Sequence, residues 1–278
     1  MSSNQTNHKA RLAVAPETSL VEILRSPTFP LPGETQFQGA PASPQALLQL
    51  ELSLSAFVAD LQEVTNIIRS DIGLSAQLLR LATKENGGLS DKIVAISEIV
   101  VNVGVEKLQA LVARTETLQA DCSTHPELGA CERFWMHARL TALVAEEIAG
   151  QSSDIHTENA YLAGLLCHIG ELPSLLGRAL PGSDAPDTRQ VGYRMASAWG
   201  FPCDLADVIG GQREACRTPE SRALLEIVIA ADLWAFRLES LVASESGRSK
   251  PRIHLLDSNW VRETNAERYM WSPDIAKV

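Results

Sequence analysis

The stretch AYLAGLLCHIGEL, residues 160–172, is apolar nearly all round except for one Cys-His pair, Cys167 and His168, followed closely by Gly170. An apolar run of this length with no β-branched alternation reads as a helix buried on nearly all sides. Its pair admits three chemistries: metal ligands, a nucleophile with its base, or a small hydrophobe beside a buried imidazole. On a regular helix, neighbours at i and i+1 point about 100° apart, so both side chains cannot easily face one ion or each other. The bland reading is therefore favoured, with Cys167 packed in the core and His168 holding one or two hydrogen bonds.

Outward from that segment the period stays helical. CERFWMHARLTALVAEEIAG (131–150) predicts a long amphipathic helix ending at Gly150. TRQVGYRMASAWG (188–200) and PCDLADVIGG (202–211) predict two helices joined at Phe201-Pro202, with proline at the first helical position. PESRALLEIVIAADLWAFRLESLVAS (219–244) predicts the last long helix. Toward the N-terminus, SAFVADLQEVTNIIRSD places Val58, Leu61, Val64, Ile67 and Ile68 on one face. Leu74, Leu78, Leu79 and Leu81 mark the next helix, which NGG at 86–88 breaks. Ile93, Ile96, Val100 and Val103 mark another, and Gly104 interrupts it before VEKLQALVARTETLQ (105–119). With no trustworthy strand alternation and no internal repeat, the fold class is all-α. Residues 1–43, rich in proline toward their end, read as a partly flexible arm, 44–245 as the helical domain, and 246–278 as a polar tail.

Bulk properties exclude several classes. Of 278 residues, 45% are hydrophobic and 21% charged, which suits a soluble globular chain. The net charge is −10, which works against phosphate neutralisation, so generic nucleic-acid binding is not expected. No run approaches the ~20 apolar residues of a membrane span, and the N-terminus lacks an apolar signal core. A cytoplasmic location and no membrane association follow as the expectation. The five cysteines form no CxxC or CxxxC pair and read as reduced thiols. Glu146-Glu147 and the Arg80/Lys84 pair read as solvent-facing, Trp135, Trp199 and Trp234 as core, and Gly210-Gly211 as a helix end.

The order of motifs resembles the HDOD family, a non-catalytic relative of HD-type metal phosphohydrolases. Pro44 stands before SDIGLSAQLLRLATKE, which is similar to the family's Asp-Pro-x-Leu-x-x-x-Leu-Leu-Arg-Leu-Ala-Asn stretch, with Ile72 in place of the proline and Thr83 in place of the asparagine. IVAISEIVVNVGVEKL, the Trp-x-His helix of FWMHARLTALVAEEIA, AYLAGLLCHIGEL itself, VGYRMASAWGFPCDLADVI with Gly192, Trp199 and Pro202, and IVIAADLWA follow in the family's order. The resemblance covers about residues 41–245 and implies a multi-helix bundle with an HD-type core in its second half.

Carried over residue by residue, the HD metal positions fall on His137, Cys167, His168, Thr188, Gln212, Arg213 and Asp232. Only His137 and Asp232 keep a metal-binding residue type in place, so the resemblance implies a degenerate pocket with no catalytic residues, no metal and no cofactor. A Cys/His/His/Asp zinc site from Cys167, His137, His168 and Asp232 is formally conceivable. A Cys-His dyad lacks both geometry and an oxyanion hole. The implied function is a regulatory module in bacterial signal transduction that acts on an unidentified signalling protein, with homo-oligomers possible. The ends are too short to hold a receiver or cyclase module, so such signalling would act in trans. The alternatives are a divergent metal-dependent phosphohydrolase and a non-hydrolysing sensor of nucleotides or cyclic dinucleotides.

Overall fold

The computed structural model describes residues 39–85, 95–118, 128–151, 155–177, 187–211 and 216–246. Of the flexible arm expected at 1–43 and the polar tail expected at 246–278, residues 1–38 and 247–278 lie outside these residues, as do the NGG break, Ile93 and Cys122, while Ala40 and Ala42 at the end of the expected arm are buried.

The first half is a set of short helices. Helix α1 (Pro44–Ser55) starts on Ser43, whose hydroxyl accepts from the Ala46 N–H at 3.3 Å, with proline in the first turn. It turns Ala46, Leu50 and Leu54 inward. Helix α2 (Leu61–Arg69) is capped by Asp60, which accepts from the N–H groups of Gln62 and Glu63. Its buried face is Val64, Thr65, Ile67 and Ile68. The expectation that Val58 and Leu61 share this face is corrected: Val58 precedes the helix at 78% exposure, and Leu61, its first residue, is 38% exposed. The periodicity starts one turn later because Asp60 caps there. Helix α3 (Ile72–Glu85) buries Leu74, Leu78 and Leu79. Helices α4 (Ile96–Val103) and α5 (Val105–Arg114) meet at Gly104, whose φ of 80° breaks the run as expected.

The second half is built on α6 (Leu128–Gly150), which packs against α7 (Thr157–Leu166) and α11 (Pro219–Ser246). A 3₁₀ turn (Ile169–Glu171) and the one-turn α8 (Leu172–Leu175) follow α7. Helices α9 (Thr188–Ala198) and α10 (Cys203–Gly210) pack on each other, α10 entering on Pro202 as its cap. Among the described residues there is no strand, and the one isolated bridge pairs Ala42 with Thr117. The all-α architecture stands.

Two polar centres join the halves, one buried and one half-buried. Asp71, 1% exposed, accepts from the N–H of Ser43 at 2.9 Å, the N–H of Leu74 at 2.8 Å and the indole N–H of Trp135 at 3.0 Å. One carboxylate thus caps α3, pins the start of α1 and reaches α6. Beside it Arg69 bridges Glu146 on α6 (2.7 Å) and Glu158 on α7 (2.6 Å), its guanidinium 4.1 Å from the centre of the Tyr161 ring. The Tyr161 hydroxyl in turn donates to the Arg69 carbonyl at 2.6 Å. Glu146 is therefore an interhelical ion-pair partner and not part of a solvated face. Arg80 also departs from expectation: its guanidinium lies 4.8 Å from the centre of the Trp199 ring, where α3 meets the α9–α10 turn. At the same junction the Thr83 hydroxyl is 2.9 Å from the Leu79 carbonyl and 3.3 Å from that of Gly200, where φ is +75°. The Thr83 departure from the motif thus sits in a contact.

Replacing Asp71 by alanine strands three buried donors. Asp71→Ala is expected to lower stability to denaturant by about 3 kcal/mol, and Trp135→Phe, which removes one donor, by about 1 kcal/mol. Equal and negligible shifts in the urea midpoint of both variants would show that Asp71 does not tie the halves together.

Candidate functional site: a buried histidine–carboxylate cluster

Helix α7 stops at Leu166, short of the Cys-His pair. Cys167 is still in the α region, but His168, at φ −100° and ψ 9°, has left it, and the chain enters the 3₁₀ turn. This corrects the single helix expected over 160–172. The cause lies at Gly170. A β-carbon there would strike the Thr188 carbonyl oxygen and come within 2.5 Å of the Gly192 nitrogen. The turn can lie this close to α9 only because both residues are glycine.

Leaving the helix turns His168 toward α11. Its Nε2 lies 2.9 Å from Oδ1 of Asp232, and the Nε2 of His137, from α6, lies 2.7 Å from the same oxygen. The two rings sit 5.1 Å apart, centre to centre. Each ring also has a carboxylate at its other nitrogen. His137 Nδ1 is 3.1 Å from Glu239 Oε1, and His168 Nδ1 is 3.3 Å from Glu171 Oε1. Glu239 stands seven residues after Asp232, two turns along the same face of α11, so His137 is clasped by one helix face. Both imidazoles are buried, His137 at 1% exposure and His168 at 8%.

These partners set the protonation. Burial works against a charge on His137, yet the bonds to Asp232 and Glu239 outweigh it and raise its pKa. Burial likewise opposes a charged His168, and the Asp232 carboxylate bonded to its Nε2 works against that and raises its pKa. For Asp232 burial is overcome by the two histidines, which hold its carboxyl well below the usual carboxylate range. Cys167 goes the other way: burial pushes its thiol up, and Sγ donates to the Gly164 carbonyl at 3.1 Å.

Of the expected pocket positions, His137, His168 and Asp232 come together, their ligand atoms within 4.8 Å of one another. Cys167 stays outside that group, so no four-residue Cys/His/His/Asp arrangement forms. Thr188, at the start of α9, lines a small cavity with Cys167, His168, Glu171, Arg189 and Asp232. Gln212 and Arg213 lie outside the described residues. The cavity volume is about 40 Å³, room for a few water molecules. His137, His168 and Asp232 are the residues that would hold a metal ion. The two imidazoles and one carboxylate are a donor set that could hold such an ion. As the chain stands by itself, both Nε2 atoms converge on one carboxylate oxygen, so the same atoms are joined to each other. Glu171 and Glu239 went unremarked in the sequence, although spacings of three from His168 and seven from Asp232 mark them as neighbours on a turn and on a helix face.

The HDOD domain model matches residues 40–179. The chain belongs to the HDOD domain family. That match takes in His137 and His168 but ends before α11, which supplies Asp232 and Glu239. Solved structures extend the likeness. A response regulator, MmoQ, from Methylococcus capsulatus strain Bath aligns with a TM-score of 0.60 at 16% identity, covering 87% of this chain and 95% of that one. A virulence factor from Campylobacter jejuni subsp. jejuni aligns at 0.51 and 16% identity, covering 85% and 98%. At these identities the likeness is one of fold. An uncharacterized protein of Treponema pallidum is 27% identical over 133 residues, 48% of this chain and 25% of that protein. The HDOD chain thus spans about a quarter of that relative. No described helix is long and apolar enough to cross a membrane.

The cluster dictates a pH profile for the metal-free HDOD protein. Raised histidine pKa values contribute stability that is fully present below the unfolded value near 6.5 and lost as pH rises through the folded values. The depressed Asp232 contributes above about pH 4, its unfolded value, and loses that contribution as pH falls further. The melting temperature in chelator should be highest between about pH 4.5 and 6.5. It should fall on the alkaline side, less steeply in His168→Asn. An alkaline limb identical in wild type and His168→Asn would refute the assigned protonation.

Proposed function

We propose that this HDOD protein is a non-catalytic regulatory module that works in signal transduction through contacts with another protein. The observation that carries the reading is the internal neutralisation of the old metal positions. Asp232 binds both histidines through one oxygen, and Glu239 and Glu171 stand at the remaining ring nitrogens. A metal-assisted hydrolysis needs neutral imidazoles and a carboxylate directed at an ion, with an open position for water. Here the same groups are spent on each other, linking α6, the turn after α7, and α11. The small cavity beside them gives a nucleotide no room, which weighs against a sensor in that pocket. The resemblance of the fold to a protein named as a response regulator agrees with a signalling role.

One observation favours the second reading, a divergent metal-dependent phosphohydrolase: three ligand atoms from His137, His168 and Asp232 already lie within 4.8 Å. The two readings part on elemental analysis of protein purified without chelator or metal-affinity tag. Metal well below stoichiometric, the same in Asp232→Ala, and no hydrolysis of bis(p-nitrophenyl) phosphate with added Mn²⁺ are expected. Near-stoichiometric metal that disappears in both His137→Ala and Asp232→Ala, with phosphodiester turnover, would replace the regulatory module by the enzyme.

A further inference from the structure

Exposed large apolar side chains gather in one short run of the chain. Leu48 (57% exposed) and Leu52 (64%) lie one turn apart on the outer face of α1, opposite the buried Ala46, Leu50 and Leu54. Phe57 is fully exposed in the bend that follows, with Val58 at 78%, and Leu61 opens α2. A benzyl and four aliphatic side chains left in water by the described residues, within one helix and its turn, exceed the scattered apolar residues of an ordinary surface. The core explains none of them, since α1 already spends its other face on it.

The charges in this segment have a single sign. From Gly39 to Ile68 there is no Lys, Arg or His, and the charged residues are Glu51, Asp60 and Glu63, all exposed. An apolar stripe with an acidic border suits an apolar stripe with a basic border. A second copy of this face would set carboxylates against carboxylates, and an anionic membrane surface would repel them. We infer that the Leu48–Leu61 face of α1 and its turn is a docking surface for an amphipathic helix, apolar on one side and flanked by lysine and arginine, of a partner protein. Phe57 is its anchor, a large side chain with no intramolecular role to lose. This inference rests on the regulatory reading and names the kind of partner it implies.

The test uses the full chain and two synthetic helical peptides of about 18 residues, leucine at i, i+3, i+4 and i+7 in both, with lysine and arginine on the flanks of one and glutamate on the other. Fluorescence anisotropy should show saturable binding of the basic peptide alone. Its affinity should fall about tenfold or more in Leu52→Ser/Phe57→Ser. A similar fall is expected in Glu51→Lys/Asp60→Lys. Leu143→Ser, an exposed leucine on α6, should change nothing. Circular dichroism checks that each variant folds, which substitutions of exposed residues permit. Binding that is absent, or that survives Leu52→Ser/Phe57→Ser, overturns the inference. So does a photo-crosslinker at position 57 that joins two copies, or that captures residues 1–38 of its own chain, and so does vesicle binding lost with Phe57. Peptide capture and phosphodiester turnover are separate readouts, so failure of the surface is distinguishable from failure of the regulatory reading.

Discussion

A carboxylate with almost no access to water costs several kcal/mol unless cations and donors surround it. Asp232 is in that position, and everything around it is arranged to meet the requirement. Two imidazole Nε2 atoms reach one of its oxygens, and the rings that carry them come from α6 and from the turn after α7. The second nitrogen of His137 meets Glu239 at 3.1 Å, while that of His168 has the Glu171 carboxylate 3.3 Å away. The consequence is a chain of polar contacts running from Glu239 through His137 and Asp232 to His168. It fixes the spacing of α6 and α11 and the path the backbone takes out of α7.

The first half of the molecule is tied to this core by a different device. Asp71 gathers donors from the start of α1, the start of α3 and the Trp135 indole, and Arg69 gathers acceptors from α6 and α7. Both sit at the α2–α3 junction, so a short piece of chain carries most of the polar connection between the halves. The inner faces of α1 and α2 are bound to the rest through this junction and through Leu50, Leu54, Val64 and Ile68. The outer face of α1 leaves Leu48 and Leu52 exposed among polar residues.

Much of this was legible in the residues. Periodicity located the helices of both halves, and the glycine at 104 marked its break. The ordered motifs identified the family and put His137, Cys167, His168 and Asp232 among its seven pocket positions, of which the fold brings His137, His168 and Asp232 within 4.8 Å of one another. What periodicity misjudged were positions where a cap or a contact overrides it. Val58 lies one turn before Asp60 starts the helix. Arg80 and Glu146 carry charges that pair with groups far along the chain, and no local pattern announces that.

By itself the sequence determined an all-α chain, the order of its helices, its acidic balance and the identity of its family, because these depend on local preference, side-chain period and composition. The tertiary structure alone decided that His137 is clasped between Asp232 and Glu239, that Glu171 meets His168, and that Asp71 and Arg69 join the halves. It also decided which leucines of α1 remain outside. Those outcomes depend on which groups meet across tens of residues, and a buried charge is stabilised only by partners that the whole fold brings within about 3 Å.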